Sequence, residues 1–238
     1  MLLLAAASSL ASSSLLLLLS SPLIGQETGV LYQYETTSGF VWKSVGSKKL
    51  QPKYEGEIKN GNPNGFGFIT YPYDDKSILG EWKNGHQTGS AKIFYKNGDC
   101  YKGFVKSGIR SGFGELYEQL SQKSFKGNWE NGALIGDVEI TSNDWRFIGT
   151  IKNKKGRSKG QLTYSDGSIY IGELLNFTRQ GIGKFTNKSG NKISGFWVDD
   201  TNVNFSTSTD ADGFKWYGTL RNFKPHGFMK VRLPNGQK

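Results

Sequence analysis

A single cysteine, Cys100, stands in a chain of 238 residues. That excludes a disulfide within the chain and any cysteine-ligated zinc cluster. Histidine is almost as scarce, with only His86 and His226. Two histidines placed in separate turns give no metal-ligand spacing. Cys100 has no partner histidine nearby in the pattern, so a thiol nucleophile lacks support. No phosphate-cradling loop of the Walker type occurs. The acidic pairs Asp74-Asp75, Asp199-Asp200 and Asp210/Asp212 fall among turn residues, where acids serve the backbone. No catalytic, metal or cofactor residue is assigned, and the chain is expected not to be an enzyme. Helical signal is missing as well: beyond residue 25 no apolar run keeps a period of about 3.6.

Charge is absent from residues 1–25. Between Leu2 and Ile24 this leader holds ten Leu and seven Ser, and Glu27 is the first charged residue. A secretory signal fits the run Leu15 to Leu19 followed by Pro22, although no Lys or Arg precedes it. A retained transmembrane helix also fits, since about 20 apolar residues span a bilayer. In that case Lys43, Lys48, Lys49 and Lys53 on its C-terminal side would hold the remainder in the cytoplasm. The chain is expected to be membrane-associated or exported, with export slightly favoured.

Glycine, in contrast, is abundant at 32 residues. Eight copies keep time: Gly56, Gly80, Gly103, Gly127, Gly149, Gly172, Gly195 and Gly218 are separated by 24, 23, 24, 22, 23, 23 and 23 residues. Two positions before each stands a large apolar residue: Tyr54, Ile78, Tyr101, Phe125, Phe147, Tyr170, Ile193, Trp216. Two positions after stands another: Ile58, Trp82, Val105, Trp129, Ile151, Leu174, Trp197, Leu220. Such regularity marks a stacked array of small units. Spacing by two is the period of a strand, so each copy holds a strand with one face reading apolar, Gly, apolar. Asn60-Gly61, Asn84-Gly85 and Asn131-Gly132 are hairpin turn signals. A further glycine follows nine residues after the marker (Gly65, Gly89, Gly112, Gly136, Gly181, Gly227), and Gly160 reads as its late counterpart in the fifth copy. Each unit is therefore a β-hairpin of about 23 residues whose neighbours bury a continuous stripe. Residues 26–53 read as a linker and an N-terminal β cap, with short strands at 30–34 and 40–42 around Ser38-Gly39.

These residues carry a resemblance. Tyr54-Glu-Gly56-Glu-Ile58-Lys-Asn60-Gly61, continuing to Gly65-Phe-Gly67, resembles a MORN repeat (membrane occupation and recognition nexus). Tyr101-Lys-Gly103 with Gly108 and Gly112-Phe-Gly114 does so too, and Trp216-Tyr-Gly218 with Gly227 matches in part. The resemblance spans residues 54–238 as about eight repeats. Repeat seven departs from it, with Asp199 to Ser206 where glycines would stand. It implies an all-β chain: an elongated, twisted antiparallel sheet of stacked hairpins after the N-terminal hydrophobic helix or signal segment. It is similar to modules used as scaffolds or membrane contacts in junctophilins, plant phosphatidylinositol-phosphate kinases and radial-spoke proteins.

The net charge of +10 favours anionic partners. Lys152, Lys154, Lys155, Arg157 and Lys159 form the densest cluster, a candidate anion or lipid contact beside its plainer reading as a solvated loop. Nucleic acid is disfavoured because no binding module appears. Tyr54, Trp82, Tyr101 and Trp129 form a candidate aromatic groove for a glycan or peptide, beside their plainer reading as core. Three sequons at Asn176, Asn187 and Asn204 matter only in a secretory pathway. The function expected is a non-enzymatic scaffold or adaptor making membrane-associated protein or lipid contacts. Two alternatives stay open: an exported glycan- or peptide-binding protein, and a structural subunit of a larger assembly. A protein partner is expected; an anionic membrane, a glycan and a second copy of the chain remain open.

Overall fold

The computed structural model describes residues 27–152, 156–221 and 224–235. The leader read at residues 1–25 lies outside them. The described residues form eighteen strands and no helix, so nothing among them is long and apolar enough to cross a membrane as a helix. Contacts divide the chain into two units, Met1–Gly89 and Ser90–Lys238.

In the first unit, β1 (Glu27–Thr36) and β2 (Gly39–Lys43) make a hairpin, and β1 pairs on its other side with β3 (Lys53–Lys59). Then β3 pairs with β4 (Asn62–Tyr71), and β4 with β5 (Lys76–Lys83). Strand β6 (His86–Tyr95) crosses the boundary between the units. The second unit continues with β7 (Cys100–Lys106), β8 (Ile109–Glu118), β9 (Lys123–Glu130), β10 (Ala133–Thr141), β11 (Trp145–Ile151) and β12 (Arg157–Tyr164). It ends with β13 (Ile169–Leu175), β14 (Thr178–Thr186), β15 (Lys192–Val198), β16 (Thr201–Thr209), β17 (Lys215–Arg221) and β18 (Lys224–Arg232). From β6 onward each strand pairs antiparallel with the next in sequence.

Seven of the eight marker glycines sit opposite a second glycine on a neighbouring strand, and the eighth, Gly218, sits between Ser206 and Met229. Gly56 pairs with Gly67, Gly103 with Gly114, Gly149 with Gly160 and Gly172 with Gly183. The ladder continues between hairpins through Gly67 and Gly80, Gly114 and Gly127, Gly160 and Gly172, and Gly183 and Gly195. This corrects one reading: Gly160 is the ladder partner of Gly149, and Ser158 occupies the position held elsewhere by the glycine nine residues after the marker.

That earlier glycine has its own task. Gly112 and Gly181 adopt φ of 68° and 65°, the left-handed region where a side chain would be strained. The pairing slips beside them, between Gly103 and Val105 and between Gly172 and Glu173. A β-bulge of this kind needs the positive φ. Where Ser158 replaces the glycine, β11 and β12 pair without a slip.

Candidate functional site

Absence of Cβ atoms along the ladder leaves a trough, and aromatic rings lie down in it. A Cβ at Gly67 would meet the Tyr54 ring at 2.3 Å, and one at Gly114 would meet the Tyr101 hydroxyl at 2.2 Å. The rings end in hydrogen bonds. Tyr54 donates to Glu57 O (2.8 Å), Tyr101 to Phe104 O (2.8 Å) and Tyr170 to Glu173 O (3.0 Å). Each acceptor is the residue just after the marker glycine, where the ladder slips. Phe147, which has no hydroxyl, occupies the same place in the hairpin without a bulge. Burial raises the tyrosine pKa values: Tyr101 is pushed up to about 12, with Arg110 opposing and Tyr95 adding, and Tyr54 and Tyr170 are raised further.

A tryptophan from the following hairpin closes each ring edge-on. Tyr54 meets Trp82 at 5.2 Å, Tyr101 meets Trp129 at 5.6 Å and Tyr170 meets Trp197 at 5.5 Å. Trp129 donates to Gly114 O and Trp197 to Gly183 O, both at 3.1 Å. The expected groove is thereby corrected. Tyr54, Trp82, Tyr101 and Trp129 are all buried and present no row of rings to a ligand. They are the core, because a side chain that fills the glycine trough is covered by the next repeat.

Over the tryptophans lies a third layer. Arg110 sits 4.4 Å from the Trp129 ring and donates to Gly132 O at 2.8 Å. Arg179 sits 4.6 Å from the Trp197 ring and donates to Asp200 O at 2.9 Å. Trp42 does the equivalent work in the first unit, packing 5.8 Å from Trp82 and donating to Gly85 O at 3.2 Å. All three acceptors stand five residues after a marker glycine. Repeat seven lacks its glycines but keeps the logic. Asn202 donates to Phe196 O at 3.2 Å, the carbonyl a tyrosine would cap, and Ser206 donates to Asn202. Both fill the space over Gly195.

The ring-bearing face is thus largely consumed by internal packing. Among the described residues it holds a cleft in the second unit, of about 500 Å³, lined by Phe185, Ile193, Trp216 and Leu220. The acids at its rim are engaged. Asp166 accepts from the Ser168 amide (2.8 Å) and hydroxyl (3.0 Å), bonds that lower its pKa, and Asp210 accepts from the Phe214 amide at 2.8 Å. These bonds are turn chemistry. Among the described residues no group of three His, Cys, Asp or Glu is placed to hold a metal. Cys100 is half-buried, and burial raises its pKa.

The opposite face is open. Phe104, Phe113, Ile148, Ile171, Ile182 and Phe196 are exposed there. They flank the ladder by one position, so alternation turns them away from the rings. Ile182 and Phe196 are cross-strand partners, 73% and 45% exposed. The signal was present in the sequence as apolar residues adjacent to a marker glycine or, for Phe113 and Ile182, to its ladder partner. Of the basic cluster, Lys152, Arg157 and Lys159 are exposed, and Lys159 lies opposite Glu173. Lys154 and Lys155 lie outside the described residues, so the five are not brought together as a described site.

A family model for the MORN repeat matches residues 54–72 and 79–100. Two MORN repeats lie in this chain. The first MORN repeat covers β3 and β4, with the Gly56 and Gly67 pair at its centre. A search of curated proteins gives no match. Among solved structures, the chain is similar to the TCP domain of Drosophila melanogaster SAS-4 in complex with a proline-rich motif of Ana2. The identity is 14%, over 67% of this chain and 87% of that one, with a TM-score of 0.43. It is also similar to the wild-type TCP10 domain of Danio rerio CPAP, at 13% identity over 86% of this chain and 95% of that one, with a TM-score of 0.42.

Proposed function

We propose that the chain is a non-enzymatic scaffold of about eight MORN-type hairpins that binds protein partners through the face opposite its rings. The observation carrying this reading is the exposed Ile182 and Phe196 pair on that face. A cross-strand apolar pair left to water, with further apolar residues exposed on the same face, marks a contact surface. The two matched MORN repeats and the recurring glycine pairs support the repeat count. The engaged state of the cleft acids supports a role without catalysis. On the same reading residues 1–25 bring the scaffold to a membrane, as a signal or as an anchor. N-terminal sequencing of the mature chain from fractionated cells checks that part, and an intact N-terminus in a soluble fraction would overturn it.

The contact surface is tested by affinity capture with the full chain as bait. Wild type is expected to retain a stoichiometric protein partner, and the variant Ile182→Lys with Phe196→Lys to lose it at unchanged circular dichroism. Retention by both proteins, or by neither, overturns the reading.

A further inference from the structure

We propose that the ring-opposed face of β14–β18 docks an acidic segment of a protein partner. This deepens the scaffold reading and rests on it. It names the chemistry that the surface beside Ile182 and Phe196 would recognise.

On that face the row next to the glycine ladder runs Lys184, Ser194, Thr207, Tyr217, Lys230. The row beyond it runs Thr186, Lys192, Thr209, Lys215, Arg232. Five of these positions are basic and none is acidic. All five basic side chains are exposed, and among the described residues none lies in an ion pair. Earlier in the same unit the inner row alternates: Lys102 faces Glu115, Glu115 faces Lys126 and Lys126 faces Glu139. One row further out, Arg146, which faces Thr141, is held by Glu139 at 2.9 Å. Opposite charges side by side on a sheet neutralise one another, and like charges repel. After Glu139 the inner row runs through the uncharged Ile148, Gln161 and Ile171, and the positive excess begins beyond them at Lys184. Of the two acids in the turn between β16 and β17, Asp210 lines the cleft with Trp216 on the other face, and Asp212 is exposed.

Strands lie about 4.8 Å apart, so Lys192 and Lys215, two strands apart, are separated by about 10 Å. The positions between the cations carry hydroxyls able to donate to and accept from a peptide backbone. Beside them stand Ile182 and Phe196. Cations, hydroxyls and an apolar pair on one surface fit a protein segment bearing carboxylates and an apolar anchor. Single-stranded nucleic acid would stack on rings; the rows themselves carry the half-buried Tyr217, with Phe196 beside them, so RNA is kept as an outcome of the test.

The test uses the full chain and a labelled poly-glutamate peptide of about 20 residues, followed by fluorescence anisotropy at low and physiological salt. One variant carries Lys184→Glu, Lys192→Glu and Lys215→Glu. A control of equal charge change carries Lys48→Glu, Lys49→Glu and Lys106→Glu, all exposed lysines elsewhere. The expected result is binding that weakens with salt, a loss of about tenfold or more in the first variant, and a change below about twofold in the control. Matching circular dichroism and melting show that both variants fold. Equal losses in the two variants, or no binding by wild type at low salt, overturn the proposal. So does a first variant that loses only its affinity for phosphatidylserine vesicles or for RNA. If partner capture through Ile182 and Phe196 survives while this result fails, the acidic-segment inference falls and the scaffold reading stands.

Discussion

One hydroxyl shows how a residue choice follows backbone geometry. The bulge beside Gly103 frees the Phe104 carbonyl, and Tyr101 caps it at 2.8 Å. Tyr101→Phe keeps the ring and removes the donor, and it is expected to cost about 1–2 kcal/mol in denaturant unfolding, since a polar group loses its partner. The same residue sets an alkaline limit. Its pKa lies at about 12 in the folded chain against 10 for an ordinary tyrosine, chiefly through burial. Because the folded state holds the proton more tightly, this contribution is complete below pH 10 and is lost as pH rises through 12. Stability measured across that window is expected to fall in wild type and to fall less in Tyr101→Phe; parallel curves would refute the assignment. The tyrosines were legible in the sequence as large residues two before a glycine. The reason for Tyr rather than Phe was not, because it depends on a register slip that spacing does not reveal.

At the scale of the element, three hairpins are each fastened by a side chain, Trp42, Arg110 or Arg179, that reaches over a tryptophan. The Arg179 Nε donates to Asp200 Oδ1 at 2.9 Å, and its Nη2 donates to Asp200 O at 2.9 Å. The guanidinium also covers the Trp197 ring at 4.6 Å. A lysine offers a point charge and cannot make this fork. Arg179→Lys is expected to destabilise the second unit by about 1–2 kcal/mol, an order-of-magnitude figure for a partly open pair. The loss is read as a lower melting temperature, and an unchanged one would show that the Trp197 packing suffices alone. Hairpin phase was readable from the glycine period, because eight markers with apolar flanks admit one strand register per copy. The fastening was not readable, since Trp42, Arg110 and Arg179 share a place in space and not a residue type. The face available to partners was misread for a related reason. Aromatic residues at alternate positions signal a stripe, but only the glycine trough decides that the stripe packs inward.

For the molecule as a whole, the order of the strands decides how far damage travels. Within each unit strands pair with near neighbours in sequence, so each hairpin depends on those beside it. A methyl group at Gly172 would stand 2.5 Å from the Tyr170 hydroxyl and 2.6 Å from the Gly183 Cα, with backbone on one side and a buried ring on the other. Neither can move away cheaply, so Gly172→Ala should expel the ring and open its hairpin. Hydrogen exchange is expected to lose protection in β12–β15 while β3 and β4 keep theirs, because β12–β15 pair with their neighbours in sequence. A uniform loss across all strands would mean that the chain unfolds as a single cooperative body. The local outcome has a functional corollary. The rows bearing Lys184 and Lys192 begin in the damaged stretch, on β14 and β15, whereas Lys215 and Lys230 lie beyond it on β17 and β18. The same variant should therefore weaken poly-glutamate binding only in part, which separates a surface assembled from several strands from a site held by one.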